Sequence, residues 1–237
     1  CISSAASDVY KRQLLRWRHP SVGDVPPGLF LPLLEEARLI SRLGSWIYQQ
    51  GAAQRKDWEQ VFSPDLVLGV SLSATQFNMP NLVAELRQVL SRHGLQPRQL
   101  EVEVTEAALT QNLDDTRKQL QLLRQLGVRV ALDDFGSGSC CLAYLRDLQL
   151  DTLKLDRHLI ARLLTSPRDA AIARCVIDLC KQFDLLVIAE GVETLEQYQW
   201  LKANGCEYVQ GFLVARPLTA SIASQFAQPF DWSALQA

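Results

Sequence analysis

Acids, an amide and a lysine fall where successive β-type segments of the chain run out. QLEVEVTE (99–106) closes with Glu103 and Glu106, RVALDDF (129–135) with Asp133 and Asp134, and TLKLDR (152–157) with Lys154 and Asp156. LLVIAEGV (185–192) carries Glu190, with Glu193 just beyond, and YVQGFL (208–213) carries Gln210. In a barrel of parallel strands these ends converge on one mouth, where active sites are built. Carboxylates crowded there raise one another's pKa unless a cation sits among them. Hard oxygen ligands select Mg2+, Mn2+ or Ca2+, and two such ions suit in-line attack on a phosphodiester. Singly, each residue has a plainer reading: a solvated loop Glu, an Asx turn at Asp133-Asp134, a structural ion pair at Lys154. Five consecutive strand ends of this kind predict a metal site instead. The dispersed His19, His93 and His158 read as surface or packing residues. Cys175 and Cys180 lie on helical apolar faces and read as core.

The elements that must position these residues alternate in period. Strands are predicted over 66–73, 99–106, 129–135, 152–157, 185–192 and 208–213, and helices over 81–94, 114–127, 141–148, 168–183 and 195–205. LLRW (14–17) reads as the end of a further strand, followed by a Pro-rich turn and a helical stretch from Phe30. Strands separated by helices argue for parallel βαβ units, in a closed barrel or an open doubly wound sheet. A G-x-G-x-x-G turn is missing after every strand, which weakens a dinucleotide-binding fold.

The 237 residues suit a single α/β barrel, and 48% hydrophobic with 21% charged residues excludes a disordered chain. A net charge of −2 from evenly mixed signs argues against DNA or an anionic membrane as partner. Apolar runs stay short of the roughly 20 residues of a membrane span. The irregularly spaced cysteines, with Cys140 beside Cys141, point to a reduced, cytoplasmic setting.

The opening CISSAASDVYKRQ resembles a translated sequencing-library adapter, matching the transposon oligonucleotide without a mismatch from Ser3 to Gln13. On that reading residues 1–13 stand outside the fold, apart from a few that extend strand 14–17, and residues 14–237 are one N-terminally truncated domain.

The motifs LLRWRHP (14–20), FLPLLEE (30–36), Glu103-Val104-Thr105-Glu106, DDFGSG (133–138), LKLDR (153–157), AEGVET (189–194) and QGF (210–212) resemble the EAL domain family of bacterial cyclic di-GMP phosphodiesterases and receptors. The resemblance runs from Leu14 to about Leu218. It implies a modified TIM (β/α)8 barrel whose first strand is antiparallel; that strand would precede Leu14, leaving the barrel incomplete. It also implies hydrolysis of cyclic di-GMP to linear pGpG with two Mg2+ or Mn2+ ions. Glu103, Asp133 and Asp134 would be metal ligands, with Ser71 a weak one. Glu190 would be base or ligand at the metal–water centre, with Lys154 and Asp134 assisting. Leu14, Arg16, Gln210 and Asp156 would meet the substrate, and Glu106 and Glu193 would brace loops. A homodimer, no membrane contact by this domain, and upstream sensory or GGDEF-type domains in a longer parent complete the expectation.

Three departures qualify it. The signature's Glu and Ala fall on Arg12 and Gln13, inside the adapter-like stretch. Ser71 stands where active members carry a metal-binding Asn, and SGSCCL (137–142) replaces Thr-Gly-Tyr-Ser-Ser-Leu. Ser71 favours a non-catalytic cyclic di-GMP receptor; the intact acids and Lys154 favour an enzyme.

Overall fold

A computed structural model describes residues 2–5, 7–12, 15–110, 113–136, 145–146, 148–206 and 208–224. In chain order the strands are β1 (Ile2–Ala5), β2 (Ser7–Arg12), β3 (Trp17–His19), β4 (Gly23–Val25), β5 (Val67–Leu72), β6 (Leu100–Thr105), β7 (Arg129–Phe135), β8 (Thr152–Leu155), β9 (Leu186–Glu190) and β10 (Tyr208–Gln210). The helices are α1 (Pro27–Glu36), α2 (Ile40–Asp57), α3 (Ala74–Phe77), α4 (Leu82–His93), α5 (Glu106–Thr110), α6 (Leu113–Leu126), α7 (Arg157–Ala161), α8 (Pro167–Gln182), α9 (Leu195–Ala203) and α10 (Ala220–Ala223).

Eight strands close into a barrel in the order β1-β10-β9-β8-β7-β6-β5-β2, and β3 and β4 form a separate hairpin. The pairs from β2 through β5, β6, β7, β8 and β9 to β10 are parallel; β1 alone runs antiparallel to both its neighbours. Strands buried on both faces need apolar side chains outward, where helices cover them. Val102, Val104, Val130 and Leu132 supply these and are buried. Helix α4 answers with Leu82, Leu86, Val89 and Leu90 on one stripe, the 3.6-residue spacing of an amphipathic helix. Among the described residues no helix is long and apolar enough to cross a membrane.

The predicted strands of 66–73 to 208–213 all form; 129–135 keeps its bounds, and each of the others is trimmed by one to three residues at an end. The trimming has a local cause at β8: Asp156 leaves the strand to cap α7, its side chain accepting from the His158 backbone N–H. Of the helix predicted over 141–148, residues 141–144 and 147 lie outside the described residues, as do Leu14 and the whole SGSCCL loop, 137–142.

Two expectations are corrected. Leu15 and Arg16 belong to no strand, and Trp17 begins β3 instead of ending an earlier strand. The β3–β4 hairpin follows, with Gly23 at φ 81° opening β4 after the turn. Nor does the barrel lack its antiparallel strand, because residues 2–5 and 7–12 supply both β1 and β2. The physical reason is that strand pairing is a backbone interaction. An open barrel leaves the edges of β5 and β10 with unpaired N–H and C=O groups, and an adjacent extended segment satisfies them. Tyr10, Lys11 and Arg12 pair with Val67, Leu68 and Gly69, and Ser3 pairs with Gln210.

Deleting residues 1–13 should therefore destabilise the domain by about 3 kcal/mol or more, since several backbone hydrogen bonds of roughly 0.5–1.5 kcal/mol each are lost. The deletion should also promote self-association through the freed edges. An unchanged melting curve and monomeric elution would show that these strands contribute nothing to closure.

Candidate active site

Strand registry builds the site in tiers. On β6, Glu101 and Glu103 are two residues apart and share the barrel interior. Glu103 lies opposite Ser71 of β5 and Ala131 of β7, Thr105 lies opposite Asp133, and Gln210 lies opposite Glu190. The result is a polar chain across the barrel. Ser71 Oγ donates to Glu103 Oε2 at 2.8 Å, Lys154 Nζ to Glu103 Oε1 at 2.5 Å, and Gln210 Nε2 to Glu190 Oε1 at 3.5 Å. Lys154 Nζ also lies 3.4 Å from Glu190 Oε1, so this one ammonium joins two carboxylates. The Lys154 and Glu103 side chains have no solvent exposure, whereas that of Glu190 keeps 12%. Glu190 can meet water; its partners are walled in.

Asp133 and Asp134 are neighbours, and in a regular strand their side chains would point to opposite faces. Asp134 instead adopts φ 57°, and the β7–β8 register shifts between Leu132 and Phe135. The Asp134 N–H donates to Asp133 Oδ1 at 3.1 Å. This left-handed kink, uncommon for a non-glycine residue, turns both carboxylates the same way. Oxygens of Asp133, Asp134 and Glu190 come within 4.8 Å of one another. Three oxygen donors converging at that spacing fit a hard divalent cation.

A lower tier lies beneath. Thr152 Oγ1 donates to Glu101 Oε2 at 2.6 Å, and Arg129 Nε stands 3.3 Å from the same oxygen. Burial pushes the Glu101 carboxyl above the ordinary carboxylate range, opposed first by Arg129 and then by the Thr152 hydrogen bond. Sequence reading passed over this tier, although the Glu-Val-Glu alternation of β6 already places Glu101 on the face of Glu103.

The remaining predicted residues divide. Arg16 is exposed, its guanidinium donating to the Leu15 carbonyl at 3.1 Å. It lines a cavity of about 820 Å³ that reaches Ser71 and Ser73. Glu106 begins α5; burial raises its carboxyl, and its Oε2 has no hydrogen-bond partner among the described residues. Asp156 is buried as the α7 cap. Glu193 is exposed. The loop after Glu190 is held instead by Gln197, whose Oε1 accepts from the Glu193 and Thr194 N–H groups while Nε2 donates to the Ile160 carbonyl. The Thr194-x-x-Gln197 capping box is the sequence signal for it.

Residues 3–217 match the EAL domain family. The chain belongs to that family. This EAL domain is 39% identical over 221 residues to the cyclic di-GMP phosphodiesterase NbdA of Pseudomonas aeruginosa, covering 93% of this chain and 28% of NbdA. It is 40% identical over 207 residues to the bifunctional diguanylate cyclase/cyclic di-GMP phosphodiesterase MucR of the same organism, covering 87% of this chain and 30% of MucR. The chain thus spans less than a third of these curated relatives. Among solved structures, the PaMucR phosphodiesterase in complex with c-di-GMP superposes with a TM-score of 0.89 at 37% identity, covering 94% of this chain and 91% of that one. The manganese/cy-diGMP complex of Klebsiella pneumoniae BlrP1 gives a TM-score of 0.73 at 31% identity, covering 84% of this chain and 50% of that one. The family match begins inside the adapter-like stretch, at the residues that form β1 and β2.

In this EAL domain the rim depends on one close approach. A Cβ at Gly211 would collide with the Val192 backbone, whose N–H donates to Gln210 O at 3.1 Å and whose carbonyl accepts from the Leu213 N–H at 3.1 Å. Gly211→Ala should force the Glu190 and Gln210 segments apart and destabilise the fold by about 1–3 kcal/mol, the usual cost of overpacking. Thermal unfolding checks this, and an unshifted Tm would mean that the approach is slack.

Proposed function

We propose that the chemistry built into this domain is hydrolysis of cyclic di-GMP to linear pGpG, dependent on Mg2+ or Mn2+ and requiring an acid and an amide at positions 12 and 71, where the chain carries Arg12 and Ser71. The observation that carries the reading is the convergence of Asp133, Asp134 and Glu190 beside the buried Lys154–Glu103 pair. The names of NbdA and MucR agree in substrate. Cations held by Asp133, Asp134 and Glu103 would acidify a water beside Glu190 and neutralise charge on the phosphodiester.

The side chains supply the rest. Glu190, partly exposed and steadied by Gln210 and Lys154, takes the proton from the attacking water. As the water oxygen bonds to phosphorus, the bond from phosphorus to the 3′ oxygen of one ribose breaks and that oxygen takes up a proton. The ring opens to the linear dinucleotide. Lys154, between Glu103 and Glu190, holds the Glu190 carboxylate in aim. Arg16, on the wall of the cavity reaching Ser71, offers a guanidinium to the second phosphate or a guanine, the planar fork being suited to either. The free thiols of Cys175, Cys180 and Cys206 are consistent with a reducing cytoplasmic setting. A pair of domains, and further domains in a longer parent, belong to the same reading.

A receptor that binds without hydrolysing is favoured by two observations. Ser71 Oγ donates a proton to Glu103 Oε2, where an Asn would offer an amide oxygen to a cation. Arg12, whose backbone ends β2 opposite Gly69, stands in the sequence where the family resemblance has its signature acid.

The chain as it stands should therefore bind cyclic di-GMP with no measurable turnover, followed by separation of pGpG on a nucleotide column. The variant R12E/Q13A/S71N should acquire turnover with Mn2+ or Mg2+, because anionic and amide oxygens bind hard cations better than a cation or a neutral hydroxyl. Within that variant, Glu190→Gln should cut turnover by about 10²-fold or more, the scale of a lost general base. Dinucleotide affinity should move by no more than about tenfold, or 1.4 kcal/mol. A restored variant that binds the dinucleotide tightly and stays inert with either metal overturns the hydrolase reading in favour of the receptor.

A further inference from the structure

Strands β6 and β8 are not neighbours in the barrel; β7 lies between them. Yet two bonds join their side chains directly. Lys154 of β8 reaches Glu103 of β6 at 2.5 Å, and Thr152 of β8 reaches Glu101 of β6 at 2.6 Å. Neighbouring strands stand about 4.8 Å apart, so these bonds bridge strands separated by roughly twice that spacing, less the curvature of the barrel. Both must pass over the interior face of β7. The β7 residue that pairs with Glu103 on one side and Thr152 on the other is Ala131. It alternates with Arg129 and Asp133, which contribute to the lower tier and to the acidic rim, so its methyl faces the same interior. It is wholly buried.

We propose that Ala131 is a positioning residue: its methyl leaves open the passage through which Lys154 and Thr152 meet Glu103 and Glu101. The double bridge fixes where Lys154 and Glu103 stand relative to Asp133, Asp134 and Glu190. A larger side chain at 131 stands in the path of the bridge, in an interior that packs at crystal-like density and gives little way. Below it, Arg129 braces the bridge, its Nε 3.3 Å from Glu101 and its Nη2 3.5 Å from the Thr152 hydroxyl. Strand β7 therefore acts twice on the rim. It carries Asp133 and Asp134 at its end, and one turn of the pleat lower it lets its two neighbours be tied together. The effect on the metal rests on the function proposed above; the bridge itself does not.

The test uses the full chain labelled with 15N at lysine, with the Lys154 signal assigned by its loss in Lys154→Arg. A buried, salt-bridged ammonium exchanges its hydrogens slowly enough to be seen, whereas exposed lysines do not. Ala131→Val suits a strand in propensity but fills the passage. It should abolish the slow Lys154 signal and weaken Mn2+ binding, measured by calorimetry on the R12E/Q13A/S71N background, by about tenfold or more. Val130→Ala, on the outward face of the same strand, should lower Tm while leaving both readings as they were. A folded Ala131→Val protein that keeps the Lys154 signal and the Mn2+ affinity overturns the proposal. Should Ala131→Val not fold, Thr152→Val removes the lower bond at nearly constant volume. It should speed exchange at Lys154, and an unchanged signal there overturns the proposal equally. If the parent binds no Mn2+, the hydrolase reading fails while the Lys154 signal still decides the bridge.

Discussion

Lys154 and Glu103 form an ion pair in which neither side chain touches solvent, and removing two charges from water costs several kcal/mol per ion before their attraction is counted. Such a pair is poor evidence of stability; a hydrophobic pair of equal volume would often serve the fold better. Its presence makes sense through what surrounds it. Glu101, Glu103, Asp133, Asp134 and Glu190 gather at the barrel's interior and rim, and the contacts described set Lys154 and Arg129 against them. Among the described residues acids outnumber bases there, a gathering that a divalent cation can relieve. Held between Glu103 and Glu190, the ammonium offsets charge on that side of the rim.

The backbone bears the strain that this requires. A left-handed Asp134 costs on the order of 1–3 kcal/mol, as such conformations do for residues with a Cβ. The cost is local, and its effect is to aim two adjacent carboxylates at one point. On the other side of the rim, Val192 and Gln210 exchange a backbone hydrogen bond over Gly211, and Gln197 ties the Glu193–Thr194 loop to α7. These restraints act on backbone and leave the carboxylate of Glu190 to respond to water. Rigid supports around a partly exposed acid are what proton transfer at a fixed site needs.

Much of this was legible in residue order. The alternation of strand and helix, the acids at strand ends and the pairing of Lys154 with carboxylates follow from period and residue type, because side-chain direction in a strand is fixed by parity. What parity cannot reveal is departure from parity. The turn of Asp134 is invisible in a run reading Leu-Asp-Asp-Phe, and the sequence alone would send one of the two acids away from the site. Bonds between non-adjacent strands are equally hidden, since they depend on a small residue on a third strand. Closure by residues 2–12 escaped for a different reason: motif and origin speak about side chains, whereas barrel closure is settled by backbone groups seeking partners.

Ser71 shows how far one substitution can shift the chemistry of a site while the fold stands. A hydroxyl is both donor and acceptor, and here it donates to Glu103, satisfying an oxygen that a cation would otherwise claim. An amide at the same position could present its carbonyl to the same cation and leave the Glu103 oxygen available. On the proposed metal site the exchange would alter two ligands at once, one by weakening it and one by occupying it. Nothing in the packing resists the change, because Ser71 is exposed at the rim while its strand neighbours Val70 and Leu72 carry the core contacts. Barrel and site are thus separable: strand parity gives the outward residues to stability and the inward ones to chemistry. On the proposed function, a change at one inward position would lower metal affinity while leaving the shape and the cavity in place.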